Sequence, residues 1–150
     1  MFDFHDPGRL IDDDLELVLV HKYPGNPAIG HVPTYQFMMT HVGQNEEIGH
    51  INLRIGTTDH IVLYAGNIGY GVHSEHRGNR YAARACRLLL PLARSHGLKT
   101  LWITCNPENL ASRHTCELAG AELVEIVELP QDNELFQRGE RKKCRYRIDL

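Results

Sequence analysis

The sequence predicts one α+β domain over residues 1–150, in which helices flank a mixed, mostly antiparallel sheet in a three-layer α/β arrangement. Two observations carry this prediction. The first half of the chain contains apolar and alternating runs typical of strands, separated by polar or glycine-containing breaks. The second half alternates strand and helix patterns, as when helices cover a sheet. A length of 150 residues with 42% apolar composition suits a single hydrophobic core.

Strand patterns dominate the first half. Prolines and glycines interrupt regular structure at residues 24–27 and 30–33, and the polar loop 42–46, which contains Gly43, predicts a hairpin. No amphipathic helix pattern lies between residues 23 and 33. The predicted strands are residues 15–21, 35–41, 47–55 and 61–72.

Three glycines, Gly66, Gly69 and Gly71, punctuate the last of these strands. Glycine inside a strand marks a bulge or a close approach of another group to the backbone. Two interpretations therefore stay open: the glycines let the strand twist, or they admit a ligand against its main chain.

The second half begins with a predicted helix whose apolar stripe faces the sheet. Pro91 lies inside this helix, and because an interior proline costs about 3 kcal/mol, we expect a kink or break near Leu90. A polar insertion at residues 130–134 is expected on the surface. The stripe is Ala82, Cys86, Leu89 and Ala93, and the later elements are a central strand at 100–105, a helix opening at Asn109, and strands at 121–129 and 143–148.

The segment from residue 72 to residue 90 has the design of an anion-binding loop, because a strand leads through a short polar loop into a helix. The first N–H groups of a helix lack partners, and the helix dipole favours an anion there. Arg77, Arg80 and Arg84 add positive charge. The chain has no Gly-Lys-Ser/Thr and no Gly-x-Gly-x-x-Gly, which disfavours ATPase and dinucleotide-binding loops.

Two blocks resemble the GNAT superfamily of acyl-CoA-dependent N-acetyltransferases. Residues 77–82, Arg-Gly-Asn-Arg-Tyr-Ala, resemble its pyrophosphate loop, Arg/Gln-x-x-Gly-x-Gly/Ala, except that Arg80 replaces the middle glycine. Residues 105–121 resemble its second helix, Asn-x-x-Ser/Ala-x-x-x-Tyr-x-x-x-Gly-Phe. The resemblance covers roughly half the chain, from about residue 61 to residue 128.

The resemblance implies a GNAT-like fold and acetyl-CoA as co-substrate, with main-chain groups of the fourth predicted strand holding the pantetheine arm and the loop holding the pyrophosphate. Asn109 matches a cofactor-contacting asparagine, and it is also a good helix N-cap. The cofactor-binding residues implied in this way are Gly71, Val72, Arg77, Gly78, Asn79, Arg80, Tyr81, Ala82, Ala83 and Asn109.

Cys116 occupies the place of the tyrosine that often protonates the departing thiolate in this superfamily. A free thiol has a pKa near ~8.5, close to that of the thiolate it would protonate. The alternative is that Cys116 is a small buried packing residue. Some relatives carry a glutamate base where this chain has Thr104. The open candidates for the base are Glu75, His73, Glu125 or a water chain.

Bulk properties exclude several other classes of function. A formal net charge of −3 gives no footprint for nucleic acid, and no apolar run approaches the ~20 residues of a membrane span. The start of the chain carries no export signal, and four well-separated cysteines predict a reduced, cytoplasmic protein. His73 and His76 have no third ligand at a recognisable spacing, so no metal site is predicted.

Two functions remain from the sequence. The first is an N-acetyltransferase that moves an acetyl group from acetyl-CoA to an amine of a small molecule or peptide. The second is a non-catalytic GNAT-fold protein that binds CoA as a sensor or scaffold. Members of the superfamily usually place two helices after their first strand, and these are missing at residues 23–33, so the acceptor side is the least transferable part. Unpaired sheet edges suggest a homodimer.

Overall fold

The computed structural model describes residues 1–150 and contains one eight-stranded sheet, in the order β1-β2-β3-β4-β5-β6-β8-β7. Every neighbouring pair is antiparallel except β5 and β6, which are parallel. The predicted mixed, mostly antiparallel sheet is therefore confirmed. The strands are β1 Leu10–Asp12, β2 Leu15–Tyr23, β3 Thr34–His41, β4 Gly49–Arg54, β5 Ile68–Val72, β6 Thr100–Cys105, β7 Glu122–Glu128 and β8 Lys142–Asp149.

The helices agree with the prediction in number and place, with one addition. The break near Leu90 is present, because the first helix ends at Leu88 and Pro91 lies in the first turn of the next, where a missing N–H is tolerated. Ala82 of the predicted stripe is half-buried, whereas the neighbouring Ala83 is buried. The helices are α1 Tyr81–Leu88, α2 Leu90–Ser95, α3 Leu110–Leu118 and a short α4 Glu134–Gln137 that begins at the last residue of the predicted surface insertion.

The prediction of one strand over residues 61–72 is wrong in its first half. Residues Ile61–Ala65 form a π-helical turn, and only Ile68–Val72 form strand β5. Gly66 closes the turn, since its N–H donates to the Ile61 carbonyl at 2.8 Å and its φ of 75° lies in the left-handed region. The apolar run is therefore a π-helical turn followed by a short strand.

Between β2 and β3 the chain forms only a single 3-10 turn, Pro27–Ile29, capped by the Asn26 side chain. The sequence-based expectation that no amphipathic helix lies between residues 23 and 33 agrees with this structure.

Strand β4 shows how the two faces of the sheet differ. Its residues alternate in burial, with Ile51 and Leu53 completely buried and His50, Asn52 and Arg54 on the opposite, more open face. The buried face joins one hydrophobic cluster with residues of α1, α2 and α3. Because side chains in a strand alternate between faces, the polar residues of β4 are presented together on the open side.

Candidate active site

Strands β5 and β6 separate almost as soon as they meet. Their register contains a single pair, Ile68 with Ile103, beyond which β5 runs on alone beside β4. The His73 N–H donates to the Ile48 carbonyl of the strand-β4 side at 3.0 Å. Because main-chain groups alternate in direction along a strand, those of Tyr70 and Val72 point away from β4 and into the gap. This gap exposes strand backbone that can bind an extended ligand.

The polar loop after β5 presents a row of free donors beside this gap. The backbone N–H groups of residues 78–83 donate no hydrogen bond within the chain, and the first helical bond is that of Arg84 N–H to the Arg80 carbonyl. Arg80 precedes α1 with φ 61° and ψ 22°, which is a left-handed conformation. Free N–H groups at a helix N-terminus and the helix dipole together favour a phosphate.

The three arginines near this loop have different roles. Arg84 is turned toward the β1–β2 hairpin, where it donates to Asp12 Oδ2 at 2.8 Å and to Asp14 Oδ1 at 2.7 Å. Arg77 donates through Nε to the Val72 carbonyl at 3.1 Å. Arg80 is exposed and has no partner in the protein. Only Arg80 therefore has its whole guanidinium free for an anion.

These features line one groove of about 590 Å³. His76 lies in its wall, and the buried Nε2 atom of His76 makes no hydrogen bond within the protein, with Glu46 Oε1 at 3.9 Å. Ala83 lies outside the lining, since its side chain is buried in the core and it offers only its N–H group. The other predicted cofactor-binding residues all line the groove: Gly71, Val72, Arg77, Gly78, Asn79, Arg80, Tyr81, Ala82 and Asn109.

A second cavity, of about 500 Å³, opens on the other side of the gap. Its floor is the open face of the sheet and its walls are the π-helical turn and the segment around α4. The lining is largely polar, and its members include Gln36, Asn52, Arg54, His60, Thr104 and Asn106.

The two cavities meet at Tyr70, Asn109 and Ser112, which line both of them. The Tyr70 hydroxyl and Ser112 Oγ are 2.6 Å apart, and Asn109 Oδ1 caps α3 by accepting the Ser112 N–H at 3.1 Å. Burial raises the pKa of Tyr70 well above its ordinary value, so this hydroxyl keeps its proton. Sequence reasoning missed Tyr70, although its place between Gly69 and Gly71 was a usable signal.

Cys116 lies behind this junction. Its side chain is completely buried and lines neither cavity. It lies beside Cys105, which lines the second cavity; the neighbouring Cys116 thiol lowers the pKa of Cys105, whereas the Cys105 thiol and burial raise the pKa of Cys116. Cys144 faces Cys105 across the β6–β8 pair. Three of the four cysteines that are far apart in sequence thus meet at one place.

None of the three side chains considered from the sequence as a base lines either cavity. His73 is paired with Glu47 at an exposed site, the exposed Glu125 is paired with the buried Arg145, and Glu75 is exposed. Thr104 does line the second cavity, where its hydroxyl donates to the Tyr64 carbonyl at 2.7 Å.

No group of three or more His, Cys, Asp or Glu side chains is placed to hold a metal ion. The helices are all too short or too polar to span a membrane.

The family model for the acetyltransferase (GNAT) domain matches residues 18–122, well over half of the chain. The chain therefore belongs to the GNAT family of acetyltransferases, and acetyl-CoA is the cofactor of this family. The open β5–β6 gap and the free N–H groups of residues 78–83 suit that cofactor. No curated protein matches the sequence.

Solved structures share the fold. A probable GNAT-family acetyltransferase from Chromobacterium violaceum is 15% identical with a TM-score of 0.68, covering 98% of this chain and 88% of that one. Mycobacterium smegmatis RimJ, in complex with CoA-disulfide, is 22% identical (TM-score 0.59; 78% and 53% covered). The microcin C7 self-immunity acetyltransferase MccE, in complex with acetyl-CoA and AMP, is 17% identical (TM-score 0.59; 78% and 61% covered). The chain thus spans less than two thirds of the length of several relatives.

Proposed function

We propose that this protein is an N-acetyltransferase that moves the acetyl group of acetyl-CoA to an amine of a small molecule or peptide. The observation that carries the proposal is the meeting of two cavities at Tyr70 and Ser112. The first groove has the free backbone donors that suit a pyrophosphate, and the second cavity is polar and opens on the other side of the gap. Two reactants that enter from opposite sides of the β5–β6 gap reach each other only at this junction, which supplies the proximity that acyl transfer needs.

The residues that would hold acetyl-CoA follow from the groove. The main chain of Tyr70 and Val72 faces the pantetheine path, the N–H groups of residues 78–83 face the pyrophosphate, and Arg80 and His76 add donors at the rim. When bound, acetyl-CoA supplies a thioester carbonyl for attack. The main-chain N–H groups in the gap stabilise negative charge at a carbonyl oxygen, as the donors of an oxyanion hole do.

A proton donor for the departing thiolate must reach the junction. We propose that the hydrogen-bonded hydroxyls of Tyr70 and Ser112 are this donor, since both line both cavities. Cys116, the donor predicted from the family resemblance, stays a candidate. It lines neither cavity, so it would act as a positioning residue through its neighbours Cys105 and Tyr70, which do line a cavity. If the hydroxyls donate the proton, substitution of Tyr70 or Ser112 lowers turnover most; if Cys116 is required, substitution of Cys116 does.

The binding-only alternative is separated from catalysis by two measurements on the same sample. Calorimetry gives the affinity for acetyl-CoA, and a thiol reagent follows CoA release in the presence of a panel of amines. An N-acetyltransferase binds acetyl-CoA and releases free thiol only when a suitable amine is present. A sensor or scaffold binds acetyl-CoA and leaves the thioester intact with every amine tested.

Arg80→Glu is expected to weaken binding of CoA by about tenfold or more, because it places an anion beside the pyrophosphate site. Arg80→Gly should keep binding and raise the free energy of unfolding by about 1 kcal/mol, since glycine adopts the left-handed conformation of residue 80 without strain. Calorimetry and thermal melting measure the two effects. Equal CoA affinity in wild type and Arg80→Glu would show that Arg80 is not part of the CoA-binding site.

A homodimer is proposed through strand β7, the outermost strand next to β8. Leu123, Val124 and Ile126 of β7 are between 43% and 47% exposed, so an apolar edge strand faces solvent. Such edges invite pairing with another chain. Light scattering at micromolar concentration should give about twice the 17.1 kDa of one chain, and Ile126→Lys should reduce it. A wild-type mass of one chain contradicts this proposal.

We further propose a cytoplasmic location. The support is the set of four free cysteines, three of which lie together around Cys105 and stay unpaired in a reducing compartment.

A further inference from the structure

Arg54 is a largely enclosed cation without a counter-ion. It lies on the open face of β4 and lines the second cavity, where its Nη1 donates to the carbonyls of Ala65 and Gly66 at 3.3 and 3.1 Å. No carboxylate lies within ion-pair distance of Arg54, and burial lowers the pKa of its guanidinium. Enclosed charges in proteins are normally paired, so an unpaired guanidinium in a cavity wall indicates a missing anion.

The guanidinium is held close to the reaction junction. A Cβ atom on Gly69 would come within 3.0 Å of Arg54 Nη2, so the guanidinium lies directly over the Cα of Gly69. Tyr70 is the next residue along β5. The Nε and Nη2 atoms make no hydrogen bond within the protein and are free to donate toward the cavity.

Most of the charged side chains that line the cavity around Arg54 are also positive. Arg138 and Lys143 also line this cavity, whereas Glu134 is its only acidic side chain. Lys143 is paired with Glu140, which leaves Arg54 and the exposed Arg138 as unpaired cations. The chain as a whole carries a formal charge of −3, so the positive character belongs to this cavity and not to the whole molecule.

Resting on the proposed acetyl transfer, we propose that the acceptor is a small amine that carries a carboxylate or phosphate group a few bonds from its nitrogen, and that Arg54 binds this anion. A guanidinium offers parallel donors that match both kinds of oxyanion. Asn106 Oδ1, a buried acceptor without a partner in the same cavity, is placed to accept an N–H of the amine. A neighbouring cation also lowers the pKa of an ammonium group, which favours the neutral amine that attacks.

The test uses acceptors in matched pairs that differ in the anion: an α-amino acid and its carboxamide, and phosphoethanolamine and ethanolamine. The ratio of kcat/KM within each pair is measured by thiol release, and binding of each acceptor to the CoA-loaded protein is measured by calorimetry. We expect the anionic member to be preferred by about tenfold or more in at least one pair. The pair that shows it distinguishes a carboxylate from a phosphate.

Arg54→Gln is expected to bring the kcat/KM ratio of the anionic to the neutral acceptor to about one. Arg54→Lys should keep part of the preference, since lysine retains the charge but loses the parallel donors of the guanidinium. Arg138→Gln, which removes an exposed cation of the same cavity, should lower the ratio less. CoA affinity and the melting temperature check the fold of each variant. If Arg54→Gln does not fold, the inference is tested by the preference for anionic acceptors in the wild-type protein and by its reduction in Arg54→Lys.

Neutral acceptors that are bound and used as well as their anionic partners in both pairs overturn the inference, as does a preference that survives in Arg54→Gln. A purely structural Arg54, which only ties the carbonyls of Ala65 and Gly66, would not change discrimination between acceptors. If anionic amines bind through Arg54 but none is acetylated, the proposed acetyl transfer fails and the anion site stands.

Discussion

Ser112→Ala and Tyr70→Phe are each expected to lower acetyl-CoA turnover by about 10²-fold or more, the lower end of the usual range for loss of general acid catalysis. The two hydroxyls are 2.6 Å apart where the cavities meet, so removing either leaves the other without its partner. CoA affinity should change little, because proton donation acts in the transition state. Steady-state turnover and calorimetry on the same variants measure both quantities.

Cys116→Ala is the matched comparison. If Cys116 supplies the proton for the leaving sulfur through its neighbouring side chains, this variant loses about 10²-fold in turnover, and Cys116→Ser is also impaired because a hydroxyl is far less acidic. If the junction hydroxyls are the donor, both Cys116 variants lose less than Ser112→Ala. Wild-type turnover in Ser112→Ala and Tyr70→Phe, with strong loss in Cys116→Ala, would contradict the role of the hydroxyls.

Gly49→Ala is expected to lower the free energy of unfolding by about 3 kcal/mol and to weaken CoA binding. Gly49 opposes Val72 in the β4–β5 pair, and a Cβ atom there would overlap the carbonyl oxygen of Gly71 and lie 3.1 Å from Val72 Cα. Backbone atoms of a paired strand cannot move aside as a side chain does. The strand that would hold the pantetheine arm must therefore shift. Chemical denaturation and calorimetry measure the two losses.

Gly71→Ala, at the neighbouring position of the same strand pair, is the control. The three atoms nearest to its Cβ would all belong to the ring of His50, the closest at 2.7 Å, and this exposed ring can rotate away. We expect a loss of stability below about 1 kcal/mol. Equal destabilisation in the two variants would show that the close approach at Gly49 is not tighter than the contact at Gly71.

Local signals in the sequence predicted the fold class, the helix break near Leu90 and the start of a helix at Asn109. Pro91 ends one helix because it lacks an N–H, and Asn109 caps another because its side chain replaces a missing acceptor. Both effects act within a few residues. The same locality explains the error at residues 61–72, where apolar composition suits a strand or a buried turn equally and only Gly66 gave a hint.

The chemistry of the site depends on long-range placement that no local pattern contains. Tyr70 and Ser112 are 42 positions apart and meet only because β5 leaves β6 after one pair. Arg54 is a candidate anion-binding residue because no carboxylate contacts its guanidinium, and this lack of a partner is visible only in the folded chain. Contacts of this kind cannot be predicted from the spacing of residues along the sequence.

The most direct test of the central claim is transfer of an isotopically labelled acetyl group. Wild-type protein is incubated with labelled acetyl-CoA and the amine panel, and mass spectrometry follows the label. An N-acetyltransferase gives a labelled amide and one free CoA thiol for each amide formed. Label that stays on CoA with every amine, or thiol release without labelled amide, would contradict N-acetyl transfer.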